Sequence, residues 1–213
     1  MRSLAPIAMA VGILCSSPGV ASEVTIPMDK ELNRAEWIWC EGDAVPKNFY
    51  LYCRRTFHLE DEPGKAVLHV TADSRYQLFL NGQFVGRGPA RCLQEWQLYD
   101  TYNLRPFLRP GENCIAAIVH QFGVETHSYT LGRGGFFAQG EVEAGGSEFR
   151  LGTGSSWRVL PAPTWRRDVP RATFAIMWQE HYDAREEPLG WKEAGFDDSQ
   201  WQVPVSLGRP PLA

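Results

Sequence analysis

The stretch Tyr76-Gln-Leu-Phe-Leu-Asn-Gly-Gln-Phe-Val-Gly86 decides the fold. Asn81-Gly82 lies between two short apolar runs. A two-residue type I′ turn needs positive φ at both central positions, which Asn and Gly adopt most readily. Such a turn folds the two runs back as an antiparallel pair. It should set Phe79 opposite Phe84 on one face and Leu78 opposite Val85 on the other. Apolar residues on both faces mark a strand pair inside a larger sandwich rather than an isolated ribbon.

The neighbouring segments carry the same signal. Ala66, Leu68, Val70 and Ala72 alternate with Val67, His69, Thr71 and Asp73, the period of two that a half-buried strand requires. Pro110-Gly111 makes a turn before Cys114-Ile-Ala-Ala-Ile-Val119, an apolar run that suits a central strand covered on both faces. Ala144-Gly145-Gly146-Ser147 separates residues 136–143 from 148–153 as a second hairpin, and residues 156–160 and 172–182 read as further strands. Residues 28–36, opening at Asp29, read as one or two helical turns. The expected fold is an all-β, two-sheet jelly-roll β-sandwich over residues 22–185 with a short N-terminal helical segment. Residues 186–213 read as a C-terminal extension ending in a proline-rich tail.

The first 21 residues have the pattern of an export signal. Arg2 supplies the positive start, residues 4–14 an apolar run too short to span a bilayer, and Gly19-Val20-Ala21 a small-residue cleavage site. The product is expected to be secreted or periplasmic, with no membrane association after cleavage. The whole chain carries 21 Lys and Arg against 25 Asp and Glu, a net charge of −4. With no basic block there is no footprint for nucleic acid. Cys40, Cys53, Cys92 and Cys114 would permit disulfides in an oxidising compartment; Cys40–Cys53 is one possible bridge, and spacing alone does not choose the pairing. Cys114 reads as a buried thiol.

Seven stretches in order resemble the N-terminal region of bacterial α-L-rhamnosidases of glycoside hydrolase family 78. They are Ala35-Glu-Trp-Ile-Trp39, Cys53-Arg-Arg-Thr-Phe57, residues 72–89 around the Asn-Gly turn, Tyr99-Asp-Thr-Tyr-Asn-Leu104, Pro110-Gly-Glu-Asn-Cys-Ile-Ala116, Tyr182-Asp-Ala-Arg185 and Gly190-Trp-Lys-Glu-Ala-Gly-Phe-Asp-Asp-Ser-Gln-Trp201. The resemblance implies a galactose-binding-like accessory domain. It also implies that catalysis belongs to a downstream α-helical toroid carrying the acid and base, a partner domain this chain is expected to lack. The last of these stretches often opens a further sandwich in such enzymes, so residues 186–213 are expected to be the start of a second one. Cys53 departs from the aromatic residue usual in the family.

Glycoside hydrolysis needs two carboxylates flanking the scissile bond. Asp73, Glu95, Asp100, Glu125, Glu180, Asp183, Asp197 and Asp198 are acidic, but their positions read as strand ends, turns and caps, so no catalytic residue is assigned. The histidines lack zinc-ligand spacing from the cysteines, Asp197-Asp198 falls short of a calcium shell, and Gly132-Arg-Gly-Gly135 lacks the ending of a phosphate loop. No metal or cofactor is expected. His120 reads as a strand-end packing residue. A sugar ring offers an apolar face to aromatic side chains and hydroxyls to polar ones. Two loops carry such groups: Arg87, Arg91 and Trp96 in one, His127, Tyr129 and Arg133 in the other. These are the candidate carbohydrate-binding residues. The leading reading is a non-catalytic supporting module of an exported rhamnosidase-like hydrolase; a stand-alone carbohydrate-binding protein and a hydrolase using its own carboxylates are the alternatives.

Overall fold

The computed structural model describes residues 23–25, 32 and 34–212, so the export signal lies outside the described residues. These residues form two packed antiparallel sheets. The first contains β1 (Glu23–Thr25), β2 (Ile38–Trp39), β4 (Pro63–Asp73), β7 (Tyr99–Asn103), β9 (Gly135–Ala144), β10 (Ser147–Gly152) and β12 (Val205–Ser206). Its order is β1-β7-β4-β9-β2-β12, with β10 also pairing β9. The second contains β3 (Phe49–Leu59), β5 (Arg75–Leu80), β6 (Gln83–Gly88), β8 (Gly111–Gln121) and β11 (Arg158–Pro161), in the order β11-β3-β8-β5-β6. Helical structure among the described residues is confined to three 3₁₀ turns: Gln94–Trp96, Arg105–Phe107 and Ala184–Glu186. The all-β expectation stands.

The alternating residues behave as the period of two requires. Ala66, Leu68, Val70 and Ala72 of β4 point into the core between the sheets, where they meet Leu78, Leu80, Ile115, Ala117, Val119, Phe136 and Trp157. β8 is central, flanked by β3 and β5, and is covered on both faces. Ile115, Ala117 and Val119 face the inter-sheet core, while Cys114, Ala116 and Ile118 belong to a second cluster on the outer face.

The hairpin forms as expected, with Asn81 at φ 50° and Gly82 at φ 77°. Asn81 also ties the turn to β8: its amide donates to Asn113 and to the carbonyl of Phe107, and its carbonyl accepts from the Cys114 backbone N–H. The register differs in one respect. Phe79 does pair with Phe84, but Leu78 pairs with Gly86, because a bulge inserts Val85 as an extra residue. The ring of Tyr102 presses on Gly86 where a side chain would stand, and the bulge turns Val85 into the core while leaving Phe84 exposed.

One other expectation needs correction. Residues 172–182 form no strand; isolated bridges Arg171–Trp178 and Trp165–Tyr182 hold them as a folded-over segment, since Pro163 and Pro170 remove ladder donors. The helical turns expected at 28–36 lie partly outside the described residues, and Leu32 and Arg34 to Glu36 are bends or irregular. Residues 186–212 also pack against this sandwich. Trp191 and Trp201 cover the outer face of the five-stranded sheet, β12 pairs with β2, and Leu212 packs with Trp37 and Phe137. Trp191 stacks on Tyr52 with ring centroids 4.2 Å apart.

Candidate functional site

Alternation in β5 sends Tyr76, Leu78 and Leu80 inward, so Arg75, Gln77 and Phe79 stand on the outer face. The register then aligns two cross-strand rows there. Arg87, Gln77, Ile118 and Tyr52 form one, from β6 across β5 and β8 to β3; Arg75, His120 and Tyr50 form the other. Residues 186–201 cover the Tyr52 end of this face. The remainder floors a cleft of about 560 Å³, lined also by Pro89, Ala90, Met177 and Glu180. That volume lies within the roughly 300–1,000 Å³ of small-molecule sites.

The floor is held rigid by aromatic stacking. Tyr50 is sandwiched between His120, at 3.8 Å between ring centroids and 12° between planes, and Trp165, at 4.3 Å and 7°. His120 Nε2 donates to Asn48 Oδ1 at 3.0 Å, and burial lowers its pKa to about 3, so the imidazole is neutral. His120 is thus a packing residue, as its place at the end of β8 suggested. Burial raises the Tyr50 phenol, with the charge of Glu180 adding to the rise, so this hydroxyl stays protonated beside that carboxylate. Beneath the β6 wall, Tyr76 donates to Asp100 Oδ2 at 2.5 Å and lies 2.9 Å from the hydroxyl of Tyr102. Gly88 passes over this group where any side chain would collide with Asp100.

Beside the cleft, three loops meet at the end of β4. Burial pushes the Asp73 carboxyl up to about 6, against the opposing pull of its hydrogen bonds. It accepts from Tyr129 and, at 2.6 Å, from Gln94. Gln121 joins the same network through Ser74 and Tyr129 and donates to the Gly132 carbonyl at 2.8 Å. His127 N–H donates to the Ala175 carbonyl, and Arg171 reaches the Glu125 carbonyl, which brings in the 163–182 segment.

The sequence-selected residues divide between these places. Arg87 lines the cleft. Arg91 and His127 come together, the guanidinium donating to the His127 carbonyl at 2.6 Å, and both are exposed. Trp96 stands out on its 3₁₀ turn, 61% exposed. Tyr129 is buried at 6%, its hydroxyl turned to Asp73, and Arg133 is half-buried nearby. Sequence reasoning missed Tyr50, Gln77, Met177 and Glu180. Gln77 was legible as the outward neighbour of Arg87 once the hairpin was drawn; Met177 and Glu180 were hidden by reading their segment as a strand.

The acids are mostly engaged structurally. Asp73 and Asp100 sit in the networks above, Asp198 pairs with Arg54, Asp183 caps the turn at Arg185, and Asp197 accepts from the Ser199 backbone N–H. Among the described residues no group of three or more His, Cys, Asp or Glu is placed to hold a metal ion. Cys40, Cys53, Cys92 and Cys114 are free thiols, so the Cys40–Cys53 bridge does not form. Burial raises the thiol pKa of Cys40 to about 11 and that of Cys53 well above its ordinary value.

Comparison with known proteins agrees with this architecture. An α-L-rhamnosidase of Streptomyces avermitilis is 33% identical over 158 residues, which are 64% of this chain and 14% of that protein. The crystal structure of a family 78 rhamnosidase of Bacillus sp. GL1 superposes with a TM-score of 0.75 at 40% identity, covering 83% of this chain and 18% of that one. The lectin of Pleurotus ostreatus, solved with GalNAc, shares the fold at a TM-score of 0.53 and 19% identity, over 86% of this chain and 44% of its own. The chain therefore spans only 14% and 18% of these two rhamnosidases. The family model described as the α-L-rhamnosidase N-terminal domain matches residues 61–211, and the chain belongs to that family.

Proposed function

We propose that this sandwich is a non-catalytic module of an exported α-L-rhamnosidase-like glycoside hydrolase. It would support an α-helical catalytic domain and hold carbohydrate beside it. The observation that carries this reading is the match of the chain to one small part of much longer rhamnosidases, under a family description that names an N-terminal domain. The engagement of Asp73, Asp100, Asp183, Asp197 and Asp198 in structural contacts supports a role outside catalysis. Leu93, Trp96, Phe174 and Ile176, all more than half exposed, offer apolar surface for a docking domain. Arg87, Arg91, Trp96 and His127 offer polar and ring surfaces for a glycan, and residues 1–21 would direct the chain out of the cytoplasm.

The test is an assay of the purified chain on an aryl α-L-rhamnoside. No release of nitrophenol is expected. Release that a single carboxylate substitution abolishes would replace this reading with that of a working hydrolase.

A further inference from the structure

Arg87 and Glu180 both face the cleft and carry opposite charges, yet they form no ion pair with each other. Neither side chain, nor that of Gln77, makes a hydrogen bond among the described residues. Arg87 and Gln77 stand at the β6 and β5 end of the floor, and Glu180 lies by Tyr50 of β3. β6 and β3 are separated by β5 and β8, so donors and acceptor are spread over about three inter-strand spacings, roughly 14 Å of backbone. Ile118 lies between them in the cross-strand row, and Met177, Pro89 and Ala90 add apolar lining to the cleft.

This arrangement distinguishes ligand classes. An anion would be held by Arg87 and Arg75 but would also meet Glu180, with Asp100 behind the wall. A cation would face the reverse conflict. A hydroxyl both donates and accepts, so a neutral ring bearing several hydroxyls satisfies both ends and can rest a C–H face on the apolar strip. The stacking of Tyr50 between two rings means that its hydroxyl is set before any ligand arrives, which lowers the ordering cost of binding.

We infer that this cleft holds a neutral glycosyl residue, with Arg87 and Gln77 donating to its hydroxyls at one end and Glu180 accepting from them at the other. The inference rests on the proposal that the module holds carbohydrate, and it locates that binding in the cleft rather than at Trp96 and Arg91.

The experiment is titration of the full chain, by calorimetry or ligand-observed NMR, with L-rhamnose, D-galactose, D-galacturonate and inorganic phosphate. It is repeated for Arg87→Ala, Glu180→Gln, Arg91→Ala and Trp96→Ala. A neutral sugar should bind, and Arg87→Ala and Glu180→Gln should each weaken it about tenfold or more, as expected for a lost hydrogen bond to a charged group. Arg91→Ala and Trp96→Ala should leave it unchanged. All four positions are exposed, so folding should survive and is checked by circular dichroism. Binding lost only in Arg91→Ala or Trp96→Ala would overturn the cleft assignment while keeping the carbohydrate reading. Tighter binding of galacturonate or phosphate than of galactose would overturn the neutral ligand class. No binding of any sugar at tens of millimolar would overturn both, leaving the supporting role to stand or fall on the aryl rhamnoside assay.

Discussion

Arg54, fully buried on β3, pairs with the carboxylate of Asp198, 144 positions further along the chain. The same guanidinium donates to the carbonyls of Trp191 at 2.9 Å and Glu193 at 2.8 Å, and it lies 3.5 Å from the sulfur of Cys114. A buried cation is tolerated only when its donors are met, and here one side chain fastens residues 191–198 to the outer face of the sheet.

Removing that cation should therefore be costly. Arg54→Ala leaves buried carbonyls and Asp198 without their donor, and a loss of about 3–5 kcal/mol is expected from urea unfolding. Asp198→Asn keeps an acceptor on a quarter-exposed side chain and should cost much less. Equal losses would show that the contact is governed by packing rather than charge.

Deleting Trp191 removes the ring that stacks on Tyr52, and Trp191→Ala should lose about 3–5 kcal/mol. The outer face of the five-stranded sheet would then be open, so the variant should bind a hydrophobic dye that the native protein does not.

Asp73 should make stability depend on pH in an unusual direction. Its carboxyl is raised from an ordinary 3.8 to about 6 in the folded protein, so the folded state holds the proton more tightly than the unfolded chain does. This contribution is fully present below about pH 4 and is lost as the pH rises through about 6, with an upper size of about 3 kcal/mol. Comparing wild type with Asp73→Asn in urea at pH 4.5 and pH 7 isolates it. The difference between the two proteins should change across that range, and a pH-independent difference would rule it out.

Gly123 lies at φ 63° with the backbone of Pro46 and Lys47 packed where a side chain would stand. Gly123→Ala combines a disfavoured backbone with a clash against main chain that cannot rotate away. A loss of about 2 kcal/mol or more is expected, read as a lowered Tm.

The thiols offer a check on the core. Of the four cysteines among the described residues, Cys40, Cys53 and Cys114 are buried and only Cys92 is partly open, so of these four a thiol reagent should modify at most Cys92 in the native protein and all four after unfolding. Two reactive thiols after unfolding, rather than four, would indicate a disulfide.

Much of the fold was legible from local chemistry. The positive φ values at Asn81 and Gly82 and the alternation through Ala66, Leu68, Val70 and Ala72 are decided within a few residues. The bulge at Val85 was not, because it answers to the ring of Tyr102 on another strand. The segment 172–182 misled for a related reason: its aromatic residues look strand-forming, but its isolated bridges never extend into a ladder and its contacts lie with His127 and Phe122.

Of the cleft, the sequence selected only Arg87. The sequence alone determined the β class, the hairpin, the two-faced burial of β8 and the family resemblance, since turn conformations and side-chain alternation are properties of short stretches. Only the tertiary structure decided that Tyr50, Gln77, Arg87 and Glu180 share one cleft, and that Arg54 holds residues 191–198 in place. Those groupings depend on strand register, where a shift of one residue would turn Tyr50, Gln77, Arg87 and Arg54 to the opposite face, and on packing between distant segments, which brings in Glu180 and residues 191–198.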